Sequence, residues 1–196
     1  MFAFIRNLLA IIGLVAIGGA IYMYANHGSA VSQFTDFDPK AADTYKEMVD
    51  KLLETGNPAE ATVWKAKVAD GLSFEEVDQS IKSVASELNI KDVGALPLGD
   101  QVAAMQGKPW RKLKIYLFCN PLTAAKMIDF SDAYSAYLPC RISLLEDKTG
   151  ALWLYTLNMD MMIHGGKPLP KEVKDEAIGV KKIMLGILER GSKGDF

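Results

Sequence analysis

From Leu8 to Tyr24 the chain carries no polar side chain other than Tyr22 and Tyr24. Residues 1–35 hold one formal charge, Arg6, and every other charged residue lies in 36–196. As a helix rising about 1.5 Å per residue, the apolar run covers roughly 25 Å, against roughly 30 Å for the hydrocarbon core of a bilayer. Asn7 and the residues after Tyr24 can complete a crossing, and the two tyrosines stand where an interfacial aromatic belt belongs. The pattern predicts a transmembrane anchor over residues 1–25 that meets the membrane through residues 8–24. Arg6 and the amino terminus favour a cytoplasmic start. The expectation is a single-pass protein of the cytoplasmic (inner) membrane with its soluble domain in the periplasm. A cleaved signal peptide is the competing reading, with Gly18 and Ala20 as a small-residue cleavage site. A buried soluble helix is the third. Ala16 and Ala20 also form a small-xxx-small pair that would let two such helices touch.

The remainder has the charge density of an ordinary soluble domain. Its 22 basic and 24 acidic residues leave a net charge of −2, which gives no support to nucleic-acid binding. Two cysteines exclude a disulfide scaffold and a four-cysteine zinc site, and two histidines exclude a three-histidine metal site. His27 lies beside the apolar run and reads as solvated or interfacial.

Local signals divide the soluble part. Residues 26–59 read as a linker and an amphipathic helix. Asp38 and Pro39 look like an N-cap and a first-turn proline, and Gly56 closes the helix. Ala61 to Val68 alternates as a half-buried strand, with Trp64, Ala66 and Val68 on one face. Ser73 and Glu76 form a capping box, and Phe74, Val77, Ile81, Val84, Ala85 and Leu88 follow at helical spacing. A short extended piece is expected near residues 93–98 and a short helix at 100–105. Leu113, Ile115 and Leu117 alternate with Lys112, Lys114 and Tyr116, which predicts a strand ending at Cys119. Asn120 and Pro121 then start a helix. Two strands, 140–146 and 151–158, are joined by Asp147-Lys148-Thr149-Gly150 as a hairpin. Pro170 opens a last helix with Val173, Ala177, Val180, Met184 and Ile187 on one face, within a C-terminal segment of residues 166–196.

Few positions carry chemistry. There is no phosphate-binding glycine loop, no Gly-x-Ser-x-Gly elbow, no His-Glu-x-x-His and no Cys-x-x-Cys. Cys119 and Cys140 have three readings: small apolar side chains, a shared metal or redox site, or a disulfide. One unbroken helix over 121–137 would be about 25 Å long and hold them apart. A break near residues 129–131 would let the chain return and bring them closer. Met159, Met161, Met162 and His164 crowd one segment, and thioether and imidazole ligands suit copper(I) or a haem axial position. Packing is the alternative use of such methionines. Trp110, Trp153 and Tyr155 read as core or pocket wall. Arg111, Lys112, Lys114 and Arg141 read as a solvated face or, alternatively, as a basic patch for an anionic small molecule.

The combination Phe118-Cys119-Asn120-Pro121, Ala124, Leu138-Pro139-Cys140-Arg141, Glu146-Asp147 and Gly150 resembles the domain of unknown function 302 family (DUF302). The Trp64 strand and the Ser73 helix fit the opening of that family. Asn158-Met159-Asp160 stands where the family has an Asp-Pro pair, a departure in the local turn. The resemblance covers about residues 60–165. It implies an α/β (α+β) domain, with a TATA-binding-protein-like sheet and packed helices, that often forms a homodimer. It implies no established activity. Cys119, Asn120, Cys140 and Arg141 fall on motif positions and are the ligand or redox candidates. With no catalytic constellation in the chain, the expectation is a membrane-anchored periplasmic accessory or binding module, a homodimer or part of a membrane protein complex. The alternative is a metal- or haem-dependent redox protein.

Overall fold

The structure, a computed structural model, describes residues 2–196. The His27 side chain lies outside the described residues, so its expected setting does too. The first helix, α1 (Phe2–Phe34), has 33 residues, about 50 Å at the usual rise. Its segment Ala3–Asn26 has mean hydropathy 2.2 and none of it is buried. It is therefore long and apolar enough to cross a membrane, a property that signal sequences share.

Beyond it the expected mixture of helix and strand is found. Helices α2 (Ala41–Thr55) and α3 (Pro58–Ala61) precede strand β1 (Val63–Lys67). Helix α4 (Phe74–Glu87), strand β2 (Lys91–Leu96), helix α5 (Leu98–Gln106) and strand β3 (Leu113–Cys119) follow. Then come helix α6 (Pro121–Phe130), a 3-10 turn (Asp132–Tyr137), strands β4 (Cys140–Glu146) and β5 (Leu152–Leu157), and helices α7 (Asp160–His164) and α8 (Lys171–Gly191). The five strands make one antiparallel sheet in the order β1-β5-β4-β3-β2.

Local chemistry sets the element ends. The capping box closes on α4: Ser73 Oγ accepts from the Glu76 N–H, and the Ser73 N–H donates to Glu76 Oε2 at 2.7 Å. Gly56 closes α2 in the left-handed region at φ +63°, where a side chain would be strained. In the hairpin, Asp147 Oδ1 accepts from the Thr149 and Ala151 N–H groups, and the Trp153 indole donates to Asp147 Oδ2.

One face of the sheet builds the core. Tyr116 and Phe118 of β3, Ile142 and Leu144 of β4, and Leu154 of β5 are buried against Val77, Ile81 and Val84 of α4 and Met184 and Ile187 of α8. Helices α4 and α8 lie close together: a Cβ on Gly191 would come within 3.2 Å of Ile81 Cγ1. Because strand side chains alternate, Leu113, Ile115 and Leu117 occupy the opposite face with Leu145, Trp153 and Tyr155, and all are half-buried. The period-2 pattern of β3 is as expected, but its larger apolar side chains pack inward while the Leu/Ile set faces outward. The basic-patch reading does not survive. Lys112 pairs with Glu75 and Lys114 with Asp78, both acids on α4. Arg111 lies over the Trp110 ring. Arg141 is exposed.

Asp38 also departs from expectation. Helix α2 begins at Ala41 with Lys40 at its N-cap and no side-chain cap. The Asp38 side chain does accept from the Lys40 N–H at 3.0 Å, but it points inward. Its carboxylate meets His164 Nδ1 at 3.2 Å and also pairs with Lys174 of α8. The Asp38 N–H donates to the Gly166 carbonyl, and the Tyr45 hydroxyl donates to the Gly165 carbonyl. The first turn after α1 is thereby fastened to the loop after α7.

Candidate functional site

Strand β3 ends at Cys119, and the next two residues start α6. Asn120 Oδ1 accepts from the N–H groups of Leu122 and Thr123, and Pro121 fills the first helical position. The helix stops at Phe130. Ser131 is extended (φ −161°, ψ 125°), and the 3-10 turn after it sends the chain back. The Tyr134 hydroxyl donates to the Met162 carbonyl at 3.1 Å, tying this return to α7. Leu138 and Pro139 then lead into β4, where Cys140 pairs with Phe118 of β3. Cys119 is thus one residue past the cross-strand partner of Cys140. Of the two geometries open to residues 121–137, the broken helix is the one found.

Both cysteines are free and line one cleft. Met127 of α6, Met159 at the start of α7, Met162 on α7 and Tyr134 complete much of its wall, and Ala177 and Val180 of α8 form its floor. The free space is about 30 Å³. That is room for one or two waters or a single ion, far below the roughly 300 Å³ at which small-molecule pockets begin. A haem does not fit it. Burial pushes the Cys140 thiol up to about 11, the proximity of Cys119 adds to this, and Arg141 works against it. Cys140 is accordingly protonated at neutral pH.

The candidates separate into two groups. Cys119, Asn120, Cys140, Met159 and Met162 are brought together around the cleft. Arg141 stands exposed on the outer sheet face, with its carbonyl accepting from Thr156 Oγ1. Met161 is 39% exposed and lines a neighbouring groove. His164 is buried on Asp38. The segment Met159 to His164 is therefore not one ligand set, since a single helical turn points its members in different directions. Asn158 Oδ1 accepts from the Asp160 N–H at 2.8 Å and starts that turn. Met127, Thr123 and Tyr134 were not singled out by sequence. Thr123 and Met127 lie four apart on α6, so the helical period was the available signal. Among the described residues no group of three or more His, Cys, Asp or Glu side chains is arranged to hold a metal.

The fold also occurs elsewhere. A structure described as "Crystal structure of uncharacterized conserved protein DUF302 from Bacillus stearothermophilus" superposes with a TM-score of 0.52 at 15% identity. The match covers 66% of this chain and 97% of that one. No curated protein sequence matches the chain. The model of the family "Domain of unknown function DUF302" matches residues 64–190, from Trp64 of β1 to the end of α8. With the cleft-forming strands and helices all inside that match, the chain belongs to the DUF302 family.

Proposed function

We propose that this chain is a membrane-tethered binding module whose family domain faces the periplasm and takes a ligand in the cleft between β3, β4, α6, α7 and α8. The observation that carries this reading is the cleft. Two free thiols from adjacent strands meet there with three methionines, and the lining holds no carboxylate or imidazole. The tether is supported by the exposed apolar segment Ala3–Asn26, and the orientation by Arg6. Homodimerisation is supported by the half-buried Leu113, Ile115, Leu117 and Leu145 on the sheet face away from α4 and α8. That apolar surface suits a second copy meeting it face to face.

Extraction of the full-length protein from its native membrane in mild detergent tests the reading. Native mass spectrometry is expected to show the folded chain carrying an added mass that leaves on unfolding. A bare chain, or unprocessed protein recovered from a detergent-free soluble fraction, overturns it.

A further inference from the structure

The wall of the cleft is unusual in its atoms. Five of the residues around it carry sulfur: Cys119, Cys140, Met127, Met159 and Met162. The side-chain oxygens beside them are already engaged, the Thr123 hydroxyl by Glu176. Asn120 Oδ1 caps α6, and the Tyr134 hydroxyl donates to the Met162 carbonyl. No carboxylate or imidazole lines the space. What remains available to a guest is thiol and thioether sulfur in a space the size of an ion.

We propose that Cys119, Cys140, Met159 and Met162 form a site for a soft monovalent cation, copper(I), with Met127 closing the apolar wall behind it. This rests on the cleft being the ligand site. Soft sulfur ligands select copper(I), whereas magnesium, calcium and manganese need oxygen donors. Zinc binds readily through thiolate with imidazole or further thiolates, and the cleft supplies neither a histidine nor four cysteines. Charge also fits. One thiol that gives up its proton to solvent on binding makes a neutral copper–thiolate unit, and uncharged thioethers complete the coordination without burying net charge. The donors stand on four separate places in the fold: the end of β3, the start of β4, the N-cap of α7 and its first turn. The return of the chain at Ser131 and the Tyr134–Met162 hydrogen bond hold those places together.

The test is an anaerobic competition titration of the reduced full-length protein in detergent, with copper(I) presented by a chromophoric chelator. One equivalent is expected to transfer, with a sulfur-to-copper charge-transfer band in the ultraviolet. Cys140→Ser should abolish transfer. Met162→Leu, which keeps volume and apolarity, should weaken it by at least about tenfold while leaving the circular dichroism spectrum unchanged. The leucine variant keeps the test decisive if the serine variant fails to fold. No transfer, transfer unaltered in Met162→Leu, or a Cys119–Cys140 disulfide in protein taken from its native membrane overturns the proposal. A different molecule in the native mass spectrum, with no copper transfer, overturns copper alone and leaves the binding module standing. A cleft that carries nothing and takes nothing removes both.

Discussion

His164 Nδ1 lies 3.2 Å from Asp38 Oδ1, across 126 residues of chain, with side chains 6% and 1% exposed. Burial acts to raise the Asp38 pKa. The hydrogen bonds from Lys174 and the Lys40 N–H, with the charges of Lys174 and His164, outweigh it and hold the carboxyl below its usual range. Replacing Asp38 by Ala leaves His164 and Lys174 facing a hole. A loss of about 2 kcal/mol is expected, read as a lower denaturant midpoint together with faster proteolysis between α1 and α2. An unchanged midpoint would show that the contact is incidental.

Asp78 sets an acid limit on the domain. Its carboxylate accepts from Lys114 and the Tyr116 hydroxyl at 2.5 Å each and from Lys82 at 2.7 Å. Burial alone would raise its pKa, yet these three bonds and the Lys114 charge bring it down from 3.8 to about 2. The unfolded chain then binds the proton more tightly than the folded one, so stability rises with pH. The contribution is complete above about pH 4 and is lost as pH falls through 3.8 towards 2. Denaturant titrations of the wild type and Asp78→Asn should converge at about pH 2, separate as pH rises from about 2 to about 4, and keep a constant gap above that. Parallel curves throughout would contradict this.

Cys140 should alkylate slowly at neutral pH. Burial first, and Cys119 beside it, push its thiol up to about 11, and the thiolate is the reacting species. Labelling of the Cys140 peptide with iodoacetamide, followed by mass spectrometry, should rise about tenfold per pH unit between pH 7 and 10. A rate already at its plateau at pH 8 would rule out the buried, protonated thiol.

On the outer sheet face, Leu117→Arg places a charge among Ile115, Leu113 and Leu145 without touching the core face. If the proposed dimer forms through this face, light scattering of the detergent-solubilised protein should give a dimer for the wild type and a monomer for the variant, with unchanged circular dichroism. A dimer that persists would move the self-association to α1 or leave this surface to another protein.

What could be read from sequence was whatever short-range chemistry decides. The Ser73–Glu76 box, the Asp147–Gly150 turn and the Asn120–Pro121 start each involve groups within a few residues, and all three are found. The cleft depended on one conformational choice at Ser131, where helix and return were equally compatible with the residues. Asp38 carries an N-cap signature, but its carboxylate is drawn away by His164 and Lys174, which no local rule connects to it. On β3, alternation located the strand but could not say which face would meet α4, because Leu113, Ile115 and Leu117 look as core-like as Tyr116 and Phe118. Met159 and Met162 were visible as a cluster. Their separation from Met161 and His164 needed the single turn of α7.

Helix α1 ends at Phe34, and Asp38 is already bonded to Gly166. Were Ala3–Asn26 to lie in a bilayer, as proposed above, only the helical end of α1 and the turn before Asp38 would separate the lipid from the domain. Encounters with an integral neighbour would then become a two-dimensional search at a nearly fixed height. Anything dissolved would have to come to the domain.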